Sequence, residues 1–292
     1  MKITFQSDYG KLKSVCIKRP EQAFVDDARI TAQWNELNFL SKPDYAAAVS
    51  EFNEFEKLIS KSGASVLHLP YDPVVTMDSI YCRDASIATD HGMIICNMGK
   101  PARKNEPEAE RNVYENNQIK ILGEITHPGT LEGGDVAWVD EHTLAVGHTY
   151  RTNWEGIRQL KQLVEPFGIH VWVAEMPHYK GPSDVFHLMS VLSPIDKNLA
   201  VVYSPLMPIS FRHGLLERGI SFIEVPDAEW DSMGCNVLAI APREVIMVSG
   251  NPVTKQKLKD AGCVVHEYEG QEISVKGGGG PTCLTRPLER II

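Results

Sequence analysis

A recurring strand–turn–strand unit limits this chain more than any other feature. Residues 85–96 (ASIATDHGMIIC), 136–147 (VAWVDEHTLAVG), 189–203 (MSVLSPIDKNLAVVY) and 237–248 (VLAIAPREVIMV) each set Asp, Gly, Pro or a charged residue between β-branched or apolar runs. The turns near Asp90, Glu141, Asp196 and Arg243 are roughly evenly spaced, as in a repeat architecture. A helical stretch and then another strand follow most of the hairpins. Residues 153–166 carry Ile157, Leu160, Leu163 and Val164 on one helical face and lead into IHVWVAEMP. FRHGLLERG with ISFIEVP, and TKQKLKDAG with CVVHEYE, repeat the plan. Gly219 and Gly262 stand where helix C-caps belong.

The first unit is split. KSVCIKRP opens the chain, DYAAAVSEFNEFEKLISKSG reads as a helix and SVLHLP as a strand, so the missing hairpin partner is sought in the C-terminal TCLTRPL. That pairing closes a ring of five units with both termini in one module, and a closed ring leaves few sheet edges exposed. The expected fold is therefore a five-fold pseudosymmetric α/β propeller, one catalytic domain over residues 1–292. A doubly wound sheet is the alternative, but hairpins are too frequent for an all-parallel sheet.

Composition excludes several functions. A net charge of −9 argues against nucleic acid as a partner, because phosphate binding needs a basic patch, and against anionic membranes. The same acidity suits a cationic small molecule. No apolar run is long enough for a membrane span, and MKITFQSDYG lacks a signal-peptide core. Six cysteines without a CxxC pair read as reduced thiols in a cytoplasmic protein, five of them in apolar stretches.

Four short segments carry candidate chemistry. KGGGGPTC puts Cys283 just beyond a glycine run that permits close backbone approach. The run lacks the GK[ST] ending of a phosphate loop. LEGGD places Glu132 and Asp135 around two glycines, where acids otherwise make turns. DSIYCRD brings Asp78, Arg83 and Asp84 to another hairpin, and FHL puts His187 at the start of a third. Each alone has a bland reading: a core histidine, a surface ion pair, a structural cysteine. Together they occupy equivalent places in the repeat, which a ring gathers at one central mouth. A thiol, an imidazole and two carboxylates suit nucleophilic attack on a cationic carbon, with the carboxylates pairing a guanidinium through charge-assisted hydrogen bonds. No HExxH or paired Cys/His spacing suggests a metal.

In order and approximate spacing, YCRD, LEGGD, FHL and GGGGPTC, with GHTYRTN and MGKPARKNE, resemble the guanidino-modifying enzymes of the pentein superfamily. That group includes dimethylarginine dimethylaminohydrolases, arginine deiminases and amidinotransferases, and the resemblance spans nearly the whole chain. It implies Cys283 as nucleophile, His187 as general acid/base, and Glu132 orienting His187 and helping to hold the guanidinium. It implies Asp84 on the guanidino nitrogens, Asp78 towards the α-amino end, and Arg103 and Arg151 clamping an α-carboxylate. It implies no metal or organic cofactor, a small guanidino substrate, and often a homodimer.

One departure bears on specificity. Arginine deiminases carry a second Asp two residues after the histidine, and here that position is Met189. Losing the carboxylate favours a methylated guanidine, whereas YCRD and GGGGPTC are nearer the deiminase style. An amidinotransferase stays open, as does a binding role of the kind played by a pentein-fold translation factor, although a binding module would not need the full Cys, His, Glu and Asp set.

Overall fold

A computed structural model describes residues 1–292. Five three-stranded sheets repeat one connection. In each, two antiparallel strands form a hairpin and a third strand joins the second in parallel. The hairpin Ser86–Thr89/Gly92–Ile95 takes Ile121–Glu124, and Val136–Asp140/Thr143–His148 takes His170–Glu175. Leu192–Asp196/Leu199–Val202 takes Ser221–Glu224, and Val237–Ala241/Glu244–Val248 takes Val264–Tyr268. Between second and third strands lie the helices Glu106–Asn116, Trp154–Val164, Ile209–Glu217 and Pro252–Asp260. The crossover is needed because parallel neighbours cannot be joined by a tight turn.

The fifth sheet is the split one. Thr285–Pro287 pairs antiparallel with Ser14–Ile17, which pairs in parallel with Ser65–His68 after the helix Tyr45–Lys61. The C-terminal segment thus supplies the missing hairpin partner and closes the five-fold ring. A sixth small sheet of Ile3–Thr4, Arg290–Ile291 and Lys11–Leu12 ties the two ends together, which the repeat did not foretell.

Local chemistry explains the boundaries. Asp44 and Asn153 accept the amides of Ala47 and Gly156 at their helix N-termini. Gly219 and Gly262 follow their helices with φ of 77° and 82°, a left-handed conformation that costs glycine little. The helix Glu106–Asn116 was not legible, because Glu106, Glu110 and Tyr114 face inward and blur its apolar stripe. The unit expected to open as a strand at residue 189 instead follows one helical turn over residues 188–191. Ser190 Oγ accepts the His187 amide and draws that turn closed, so the strand starts at Leu192. Apolar side chains fill the space between sheets and helices, for example Leu160 and Val164 against Val146 and Val171. Residues just ahead of four of the five first strands, Asp84, His187, Asn236 and Cys283, line one shared cavity.

Candidate active site

Residues from all five modules line a central cavity of about 410 Å³, among them Asp84, His187, Asn236 and Cys283. Glu132 lies directly behind it, fully buried. His187 Nε2 donates to Glu132 Oε2 at 2.8 Å, and Nδ1 faces Asp84 Oδ1 at 3.9 Å. Glu132 Oε1 accepts the Lys100 amide at 2.9 Å. Arg151 stands 3.4 Å from the same carboxylate. Burial alone would raise the Glu132 carboxyl, but the His187 hydrogen bond and charge, with Arg151 and Arg103, hold it well below the usual range. Burial works against the His187 imidazolium, yet Asp135, Asp84 and Glu132 together raise it to about 9. At neutral pH the site therefore holds an imidazolium between carboxylates.

The glycines of LEGGD are steric requirements. A Cβ at Gly133 would strike the Arg83 carbonyl, and one at Gly134 would fill the gap between His187 Nδ1 and Asp84 Oδ1. Asp135 was noted beside these glycines without a role. It is fully buried, accepts the Leu188 amide at 3.0 Å and the Thr149 hydroxyl at 2.7 Å, and so fixes the turn that carries His187. Burial pushes its carboxyl up to about 6, against the pull of His187.

The GGGGPTC loop is packed against protein rather than left open. Cβ atoms at Gly277 and Gly279 would collide with Tyr81, and one at Gly280 with Asn236. Cys283 is half-buried and the other five cysteines are buried. Burial and the Asp84 charge push its thiol up, while the Asn236 amide, which donates to Sγ at 3.3 Å, pulls it down. No hydrogen bond joins His187 to Cys283.

Asp78 lines the cavity with its carboxylate held by Lys100 Nζ at 2.6 Å. Arg151 also lines it, and its remaining contacts are long, 3.4 Å to the Asp184 carbonyl, so its fork keeps donors to spare. Arg103 also lines the cavity. Its Nε and NH2 donate to Glu106, NH2 also to the Tyr81 carbonyl, and NH1 to Asp84. Nε and NH2 are thus engaged and NH1 braces Asp84, which leaves one NH1 hydrogen without a protein acceptor. Asp84 Oδ1 remains buried without a hydrogen-bond partner.

Lys100 and Asn236 were missed. Lys100 lies within a segment noted only as a stretch, MGKPARKNE, and Asn236 sits one residue ahead of a hairpin strand, the place that singled out the other groups. Asp84, Glu132 and His187 bring possible metal-ligand atoms within 4.8 Å of one another. The His187 imidazolium, with Arg103 on Asp84 and Arg151 on Glu132, offsets those carboxylate charges. No helix of the protein is long and apolar enough to cross a membrane.

Known proteins resemble this chain in sequence and fold. The N(G),N(G)-dimethylarginine dimethylaminohydrolase of Pseudomonas aeruginosa is 28% identical over 273 residues, covering 94% of this chain and 98% of that protein. The arginine deiminase of Limosilactobacillus fermentum is 25% identical over 73% of this chain and 61% of its own length. A solved structure of the Pseudomonas aeruginosa enzyme, a mutant complexed with citrulline, superposes with a TM-score of 0.77 at 26% identity, over 96% of this chain and 99% of that one. The model of the family described as "N,N dimethylarginine dimethylhydrolase, eukaryotic" matches residues 21–290. On that match and the five-module ring, the chain belongs to the N,N-dimethylarginine dimethylhydrolase family of the pentein superfamily.

Proposed function

We propose that this protein hydrolyses a guanidino C–N bond of an arginine derivative, N-methylated arginine above all, through a covalent S-amidino intermediate on Cys283. One observation carries the reading. Asp84, with one buried oxygen lacking a partner, lines the same cavity as the half-buried Cys283 thiol and the charged His187. A guanidinium N–H supplies the missing donor to Asp84 Oδ1, and the planar cation is then held beside the sulfur.

In the resting site His187 is protonated and Cys283 is a thiol, since its environment raises it above the ordinary value. Arrival of the substrate cation offsets the Asp84 charge and favours loss of the thiol proton to solvent. The thiolate adds to the guanidino carbon. The imidazolium gives its proton to the departing nitrogen, the C–N bond breaks, and an amine or ammonia leaves. Neutral His187 then takes a proton from water as the oxygen adds to the amidino carbon. The C–S bond breaks, the electron pair returns to sulfur, the remaining hydroxyl proton of the adduct passes to the thiolate, and a ureido product, citrulline for an arginine side chain, departs. Glu132 keeps the imidazole oriented, as a buried carboxylate does in a catalytic triad. Asp78 and Arg151 meet the α-amino and α-carboxylate ends. No step calls for a metal or organic cofactor.

Met189 supports the methylated substrate. It lines the cavity with an apolar side chain, and its sulfur accepts from Arg83 NH1 at 3.4 Å. Free arginine is the second reading, favoured by the similarity to an arginine deiminase. The strand Thr285–Pro287, just beyond Cys283, pairs with Ser14–Ile17 from the other end of the chain, which supports residues 1–292 acting as one catalytic domain. Six unpaired cysteines support a reducing, cytoplasmic setting.

The test is parallel incubation with asymmetric dimethylarginine, arginine and agmatine, reading ureido product and released amine, with Cys283→Ser as control. Turnover of dimethylarginine that is lost in Cys283→Ser is expected. Strong preference for unmethylated arginine would sink the Met189 argument. Transfer of the amidino group to added glycine or ornithine would replace hydrolase by transferase.

A further inference from the structure

Each module sets a polar side chain at or directly behind the cavity one to five residues ahead of its first strand: Asp84, Glu132, His187, Asn236 and Cys283. The proposed reaction uses four of them and leaves Asn236 unassigned. Asn236 is buried, at 7% exposure, and still lines the cavity. Its amide is held in one orientation. Oδ1 accepts from the Thr282 backbone N–H at 2.9 Å and from the Thr282 hydroxyl at 2.8 Å. A backbone N–H only donates, so the atom facing it must be the amide oxygen, and the nitrogen must point the other way. There Nδ2 stands 3.3 Å from Cys283 Sγ.

The neighbours leave the sulfur no comparable donor. Thr282 Oγ1 is 3.9 Å from Sγ, and its single proton is already given to Asn236. His187 is bonded to Glu132. The close approach of the amide depends on Gly280, where a Cβ would come within 2.5–2.7 Å of the Asn236 side chain. The glycine run therefore has a specific task at its last position: it admits the amide that reaches the sulfur.

We propose that Asn236 is a further catalytic residue whose amide N–H stabilises the Cys283 thiolate, first as the nucleophile and again as the leaving group when the intermediate hydrolyses. No proton is transferred by the amide. It donates the same hydrogen bond to the sulfur lone pair before the C–S bond forms and after it breaks. Hydrogen bonding to the charged form of a group favours that form. The inference rests on reading Cys283 as the nucleophile, but not on which guanidine is the substrate.

The experiment is the pH dependence of Cys283 alkylation by iodoacetamide in substrate-free protein, with peptide mapping of the label. The five other cysteines are buried and supply an internal control for unfolding. In Asn236→Ala the midpoint of thiolate formation should rise by ~1–2 pH units, the worth of a hydrogen bond to a charged group. Asn236→Asp keeps the side-chain volume and the acceptor for Thr282 but turns a carboxylate to the sulfur, and should raise the midpoint further. It also serves where the alanine variant fails to fold. An unchanged midpoint in folded Asn236→Asp would overturn the proposal. Shifted midpoints in a protein that turns over no guanidine would uphold the role of Asn236 at the sulfur and overturn the hydrolase reading instead.

Discussion

Replacing Glu132 by glutamine tests the electrostatics of the site at its centre. The variant keeps the size of the side chain and an oxygen for the Lys100 amide, which Glu132 accepts at 2.9 Å. It turns an NH2 group towards His187 Nε2, which now donates to a carboxylate at 2.8 Å. Two donors then face each other, so His187 must become neutral with its proton on Nδ1. The lost charge-assisted bond is worth about 1.5–3 kcal/mol. At 1.36 kcal/mol per unit, that lowers His187 by ~1–2 units, from its wild-type value of about 9. Asp135 and Asp84 stay in place and keep the fall from being larger. Two assays read this: the NMR titration of the His187 ring, assigned against His187→Gln, and kcat against pH at saturating dimethylarginine. The alkaline limb of kcat should move down with the titration, and kcat at its optimum should fall ~10²-fold or more, the weight of general acid catalysis. Stability should respond as well. The raised His187 stabilises the fold fully below 6.5, its ordinary value, and loses that contribution as pH rises through about 9. The depressed Glu132 contributes above 4.5, its ordinary value, and loses that contribution as pH falls. The stability gap between wild type and Glu132→Gln should therefore be widest at pH ~5–6.5 and narrow as pH rises through the His187 titration. A His187 titration that stays near its wild-type midpoint in the folded variant would refute the reasoning and assign the shift to Asp135 and Asp84.

Three other outcomes are expected. Arg103→Met leaves Asp84 and Glu106 buried without their cation, and urea denaturation should show a loss of about 3–5 kcal/mol; a near-neutral change would mean that Arg103 does not brace Asp84. Met189→Asp sets a carboxylate where Arg83 already reaches, and should lower the ratio of kcat/KM for dimethylated over unmethylated arginine by ~10-fold or more. Burial pushes the Glu110 carboxyl up to about 7, against hydrogen bonds from Ser86 and Tyr114. The folded protein holds that proton more tightly than the unfolded chain. Its stabilisation is therefore complete below pH 4.5, the ordinary value, and fades as pH rises through about 7. Wild type should lose roughly 3 kcal/mol from this group across that window, and Glu110→Gln, measured by thermal unfolding at each pH, should not show this loss.

Much of the ring was legible because its information is local. A hairpin announces itself by a turn between two apolar runs, as at Asp90 and Glu141, and a crossover helix by a stripe such as Ile157, Leu160 and Val164. Repetition did the rest, since a missing hairpin partner in the first module pointed to the residues around Thr285. Where an element's sequence is shaped by long-range contacts, the reading failed. The helix Glu106–Asn116 turns carboxylates inward because they have cations and hydroxyls to meet there, Glu106 with Arg103 and Glu110 with Ser86 and Tyr114. Residues 188–191 coil because one serine hydroxyl takes the His187 amide.

The residue types needed for guanidine chemistry, and their equivalent stations in the repeat, are properties of the sequence alone. Thiol, imidazole and carboxylates can be read off one by one, and the repeat says that they meet. What each does on meeting was decided only in three dimensions, because charge and hydrogen bonding depend on a few tenths of an ångström. The Arg103 guanidinium by its type suits a carboxylate, but in the fold most of its donors go to Glu106, Tyr81 and Asp84. Asn236 has no role legible in the sequence; the Thr282 amide takes its oxygen and so turns its nitrogen towards the sulfur. A sequence lists donors and acceptors; the tertiary structure decides which are already spent and which remain for a substrate.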